Sequence, residues 1–149
     1  MSVSLAYLER CAAVTGFPVS GLEKVVRLGE VAREIGAHPL LSRVLLLKGG
    51  TALNLAFGPP TRLSVDLDFN YVGELERERM LVERSRVERA LDDLASRAGY
   101  RVQRSGVAFA GRKSFLHYRS VLGHEDRIEV DVNFLLRLPL EPPVIGELW

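Results

Sequence analysis

Apolar and polar positions change their spacing several times along the chain, and each change marks an element. Ser4 to Val14 carries Leu5, Leu8 and Ala12 on one side of a weak helix, which Gly16, Phe17 and Pro18 break. Ser20 and Glu23 have capping-box spacing, and Leu22, Val25, Val26, Val31, Ala32 and Ile35 recur at helical intervals up to Gly36. Arg43 to Lys48 is a short apolar run expected to be a buried strand. Thr51 to Phe57 reads as a short helix stopped by Gly58-Pro59-Pro60. From Arg62 to Asn70 the period is two, with Leu63, Val65, Leu67 and Phe69 against Ser64, Asp66 and Asp68. Glu74 to Ala98 is a long helix with Met80, Val87, Leu91, Leu94 and Ala98 as its stripe and Gly99 as C-cap; its charged side reads as a solvated, salt-bridged face. The period then returns to two, in strands expected over Tyr100–Ala110, Lys113–Leu122 and Arg127–Leu138. Gly111-Arg112 joins the first two, and Gly123-His124-Glu125-Asp126 is the second turn. In the last strand Ile128, Val130, Val132 and Phe134 face inward.

This order describes an α+β (α/β) domain with a mixed β-sheet and flanking helices. Residues 1–138 are expected to form the core domain and residues 139–149, with Pro139, Pro142 and Pro143, a Pro-rich tail. The 149 residues are enough for one domain with a substantial core. Cys11 is the sole cysteine, which excludes an internal disulfide framework or a cysteine-based zinc site. His38, His117 and His124 lack metal-ligand spacing and read as loop, sheet-face and turn residues. No apolar run approaches the ~20 residues of a membrane span, and Met1 to Ser4 does not begin a signal peptide, so the expected location is the cytoplasm. A net charge of +1 gives no global attraction to nucleic acid. Arg112, Lys113, Arg119 and Arg127 form a basic cluster along the chain, but Glu125, Asp126, Glu129 and Asp131 share the region and leave little net field.

The chemistry concentrates between Lys48 and Asn70. Gly49 and Gly50 follow a strand and open a helix, where a phosphate can approach bare backbone amides and the helix dipole. Asp66 and Asp68, two apart on a strand, project from one face. Paired carboxylates repel unless a cation joins them, and hard oxygen ligands suit Mg²⁺ or Mn²⁺. Asp131, on the polar side of a later strand, is the candidate third acid, as a further metal ligand or as a base for an attacking hydroxyl. Lys48 is a candidate phosphate ligand or a solvated strand end. Arg62 offers a phosphate-binding fork or a surface ion pair, and Ser64 a site hydroxyl or an ordinary strand-start residue. No Walker-type loop is present.

Lys48-Gly49-Gly50-Thr51-Ala52-Leu53 followed by Arg62-Leu63-Ser64-Val65-Asp66-Leu67-Asp68-Phe69 resembles the signature of the AbiEii/AbiGii-type nucleotidyltransferase toxins, within the DNA polymerase beta-like nucleotidyltransferase superfamily. Ile128-Glu129-Val130-Asp131 is similar to the later carboxylate strand of that family. The resemblance spans roughly Leu45 to Asn133 and implies a nucleotidyltransferase-like sheet. It implies transfer of a nucleoside monophosphate from an NTP, with Mg²⁺ (or Mn²⁺), to an acceptor hydroxyl, with tRNA as acceptor and a cognate antitoxin as partner. Gly49, Gly50 and Thr51 would then hold triphosphate, Arg62 and Ser64 would contact phosphate or brace the loop, and Asp66, Asp68 and Asp131 would bind metal. Lys113 corresponds in placement to a phosphate-binding lysine of some members.

Members of that family continue past the third carboxylate into a helical region, whereas this sequence ends at Trp149. Two other functions therefore stand beside the first. One is a non-catalytic or split nucleotide-binding module that works with a separate helical half. The other uses the same site to modify (AMPylate) protein. Trp149, if ordered, is expected to dock on another surface.

Overall fold

A computed structural model describes residues 3–57 and 59–146. Gly58, expected to help stop a helix, and Trp149 lie outside the described residues. Three helices come first: α1 (Leu5–Thr15), α2 (Val19–Ala37) and the single turn α3 (Leu41–Val44). They lead into β1 (Leu45–Lys48), α4 (Gly49–Ala56), β2 (Asp66–Tyr71), α5 (Arg77–Arg97), β3 (Arg101–Arg104), β4 (Gly111–Arg119) and β5 (Glu125–Asn133). The five strands form one mixed sheet in the order β1-β2-β5-β4-β3. Only β2 and β5 pair in parallel; the other neighbours are antiparallel. The fold is α+β, as the sequence pattern implies.

The alternation in the strands divides the sheet into two faces. Leu67, Phe69 and Tyr71 of β2, Leu116 and Tyr118 of β4, and Ile128, Val130 and Val132 of β5 are buried. Against them pack α2, with Leu28, Val31, Ala32 and Ile35, and α5, with Met80, Val87, Leu91, Leu94 and Ala95. Burial of this apolar area supplies most of the driving force for folding. The opposite face carries Lys48, Asp66, Asp68, Lys113, Glu129 and Asp131.

Several element boundaries differ from the sequence expectation. The run from Arg43 is helical to Val44 and extended only from Leu45. Arg62 to Val65 is not strand: β1 turns into α4 after Lys48, so nothing is there to pair with that stretch. β3 stops at Arg104, although β4 runs on from its partner Ser114 to Gly111, and β5 stops at Asn133, whose partner Gly111 is the first residue of β4. In α5 the stripe uses Ala95, and Ala98 is exposed at the C-cap; Gly99 follows in the left-handed region, φ +89°.

Ser20 and Glu23 do not form a capping box. The N-cap of α2 is Pro18, two residues earlier than Ser20, and Glu23 is buried. Its carboxylate accepts two bonds from Arg27 (3.0 and 2.8 Å), one from Ser120 Oγ (2.6 Å) and others from the Val121 amide (3.2 and 3.3 Å). The guanidinium of Arg27 lies 3.9 Å from the centre of the Tyr118 ring. Glu23 thus ties the first half of α2 to the β4–β5 turn, nearly a hundred residues away. A buried carboxylate with this many donors leaves several groups unpaired when it is removed. Glu23→Ala is expected to cost about 2–4 kcal/mol in urea unfolding, with Glu23→Gln losing less.

Candidate active site

The sheet brings the separated candidates into one row. Lys48 of β1 is the register partner of Asp68 of β2, Asp68 of Asp131 of β5, and Asp131 of Lys113 of β4. Register partners project from the same face, so Lys48, Asp68, Asp131 and Lys113 cross four strands in line on the face away from α2 and α5. Asp66, two residues before Asp68, shares that face and is in register with Glu129. Lys113 Nζ stands 3.4 Å from Glu129 Oε2, so the lysine leans toward the glutamate next to its register partner.

The start of α4 is pressed onto this row. Gly49 has φ +77°, and a Cβ there would lie 2.6 Å from Asp68 Oδ2. A Cβ on Gly50 would meet Ser64 Oγ at 2.8 Å. Glycine is therefore required twice in succession, first for backbone conformation and approach to an acid, then for approach to a serine. Thr51 is buried, and its hydroxyl donates to the backbone carbonyl of Asp66, anchoring the head of β2. Ser64 Oγ donates to Asp66 Oδ1 at 3.0 Å and orients that carboxylate.

Arg62 sits in the irregular stretch before β2 with its side chain exposed. Asn54 of α4 holds this stretch: its Nδ2 donates to Arg62 O (3.2 Å), and its Oδ1 accepts from the Ser64 amide (2.8 Å). The sequence reading missed Asn54, whose only signal was a polar residue inside a short apolar helix. It also left Glu129 outside the site, although Glu129 precedes Asp131 by two on one strand.

A cleft of about 380 Å³ lies over the row, lined by Lys48, Asp68, Asp131 and Lys113 and walled by residues of the β3–β4 loop. A larger cleft of about 620 Å³ between α2 and α5 contains none of the candidate residues. Burial raises the pKa of Asp68, and the charges of Asp66 and Asp131 raise it further, while Lys48 and Lys113 pull it down. The carboxylates therefore feel one another through the cleft. Among the described residues no three His, Cys, Asp or Glu side chains converge into a ready metal cage. The donors present are all carboxylate oxygens whose mutual repulsion a hard divalent cation would relieve, and that chemistry fits Mg²⁺ or Mn²⁺.

The basic cluster read from the chain is divided by the sheet. Arg112 turns to the helical side and pairs with Glu88 of α5 at 3.2 Å, and Asp126 turns to Lys24 of α2 at 2.9 Å. On the open face Lys113 and Arg119 are in register with Asp131 and Glu125, so the face is charge-mixed.

Gly49→Ala is expected to lose about 1–3 kcal/mol in denaturant unfolding, from the strained φ and the contact with Asp68. Asp131→Asn removes one negative neighbour of Asp68. The Asp68 carboxyl should then ionise at lower pH than in the wild type, read by ¹³C NMR titration of the carboxyl carbon.

A family model described as the nucleotidyl transferase AbiEii toxin of type IV toxin–antitoxin systems matches residues 34–148. No curated protein and no solved structure matches the chain. The matched stretch contains all five strands, α4 and the whole row from Lys48 to Lys113. With more than half of its residues matched, the chain belongs to the AbiEii family of nucleotidyl transferase toxins.

Proposed function

We propose that this toxin-family domain is a Mg²⁺-dependent (or Mn²⁺-dependent) nucleotidyltransferase that moves a nucleoside monophosphate from an NTP to an acceptor hydroxyl of tRNA. The observation that carries the reading is the row Lys48–Asp68–Asp131–Lys113 beside the Gly49-Gly50 turn. Asp66, Asp68 and Asp131 would hold the divalent cation, which when bound neutralises phosphate charge and polarises the phosphoryl oxygens. The amides of Gly49 and Gly50, at the head of α4, receive triphosphate oxygens, and Lys48 and Lys113 add positive charge at the two ends of the row. Thr51 acts from below by fixing Asp66, Ser64 by orienting its carboxylate, and Arg62 is free to reach phosphate from the loop.

The reaction forms one bond and breaks one. The acceptor oxygen bonds to the α-phosphorus, the bond to the oxygen bridging α- and β-phosphates breaks, and pyrophosphate leaves. The acceptor proton goes to a carboxylate, for which Asp131 is the candidate. Positioning and charge neutralisation dominate such a displacement.

Residues 1–138 form the catalytic core in this reading, with 139–149 as a tail. The family supports an antitoxin partner, and the site of action is the cytoplasm, where NTP and tRNA meet. No helix among the described residues is long and apolar enough to cross a membrane.

The test incubates the purified chain with Mg²⁺, each α-labelled NTP in turn and total tRNA. Label should reach tRNA and fall at least about a hundredfold in Asp66→Ala. Label on protein alone would move the acceptor to a side chain, and no label anywhere would refute catalysis by this chain.

A further inference from the structure

The loop between β3 and β4, residues 105–110, stands over one end of the candidate row, and an unusual side chain holds it there. Arg84 of α5 is only 7% exposed. Its Nη1 donates to Phe109 O and its Nη2 to Ala108 O, both at 3.1 Å, while its Nε donates to Glu88 Oε1 at 2.9 Å. Its guanidinium lies 4.7 Å from the centre of the Phe134 ring. Glu88 also accepts from Arg104 (3.0 Å) and Arg112 (3.2 Å), one at each base of the loop. The loop ends are closed by Ser105 N donating to Lys113 O (2.9 Å) and Phe134 N donating to Ala110 O (2.8 Å). A buried arginine committing two of its donors to the carbonyls of one loop fixes that loop's height above the sheet.

The order of the row decides what the loop faces. Lys48 and the Gly49-Gly50 turn stand at the β1 end, and Asp131 and Lys113 at the β4 end. Under the proposed function, triphosphate occupies the glycine end, so pyrophosphate leaves on that side. In-line displacement brings the attacking hydroxyl from the opposite side of the α-phosphorus. That is the Asp131 and Lys113 side, where Ser105, Ala108 and Ala110 wall the cleft. Phe109, between the cleft-lining Ala108 and Ala110 in the chain, is 53% exposed, with Arg77 of α5 at 5.3 Å from its ring centre. An exposed ring beside a cation, on the loop that walls the cleft, suits stacking of an unpaired base.

We infer that the β3–β4 loop seats the acceptor rather than the NTP: its inner wall confines the reacting end of an RNA strand, Phe109 stacks on a terminal base, and Arg84 is the positioning residue that sets the loop. This rests on the proposed nucleotidyl transfer and adds the acceptor subsite to it.

Steady-state transfer with Mg²⁺, NTP and total tRNA separates the two substrates. Arg84→Lys keeps the charge and loses the fork, and Phe109→Ala removes an exposed ring without touching the core. Both are expected to raise KM for tRNA about tenfold and to leave KM for NTP within about twofold. A rise in KM for NTP with that for tRNA unmoved, or no change in either, would overturn the inference. If Arg84→Lys does not fold, Phe109→Ala alone decides. A wild-type chain without transfer would instead remove the underlying reading, an outcome that no variant can mimic.

Discussion

The parallel pairing of β2 with β5 is the constraint on which the rest depends. It is the one parallel contact in the sheet, and it joins segments about sixty residues apart. Its register sets Asp68 beside Asp131 and, two residues earlier, Asp66 beside Glu129. A slip of one residue would turn Asp131 into the core and Val130 or Val132 onto the open face. The buried alternation of Leu67, Phe69 and Tyr71 with Ile128, Val130 and Val132 opposes that slip on the helical side of the sheet. Hydrophobic packing on one face thus specifies which carboxylates meet on the other.

Around this register the local devices serve position more than bulk stability. The head of α4 comes close enough to touch Asp68 and Ser64 only because Gly49 and Gly50, respectively, carry no side chain. Thr51, Asn54 and Ser64 then fasten the approach to β2 from three directions. On the far side, Arg84 holds two carbonyls of the β3–β4 loop and Glu88 holds Arg84 and the arginines at the loop's two bases. The Asp68 carboxylate itself works against folding at neutral pH. The raised pKa of Asp68 means that ionising it costs more in the folded chain than in the unfolded one. Its contribution to stability is therefore lost as pH rises through the carboxylate range, and a bound cation would restore it.

Much of this was legible in the sequence because it is written in local period. The alternation of β5 around Ile128, Val130, Val132 and Phe134 and most of the α5 stripe emerge where expected. So do the strand, Gly-Gly turn, helix and Asp-x-Asp strand in succession. Periodicity tells which face a residue occupies but not its neighbours, so the meeting of Asp68 with Asp131 waited for the register. Charged residues misled where burial overrode their usual preference. Glu23 has the spacing of a helix cap yet is spent on Arg27 and the β4–β5 turn. Arg84 reads as part of a solvated helix face yet is buried on two loop carbonyls. Nothing within a few residues of either announces a partner that distant.

The central claim is that carboxylates from β2 and β5 act together on one divalent cation. Mn²⁺ binding followed by electron paramagnetic resonance, with a non-hydrolysable NTP present, tests it most directly. The wild type should sequester Mn²⁺, and Asp68→Asn and Asp131→Asn should each weaken binding at least about tenfold. Equal Mn²⁺ affinity in Asp131→Asn and the wild type would contradict the joint site and leave the β2–β5 register without a role in the chemistry.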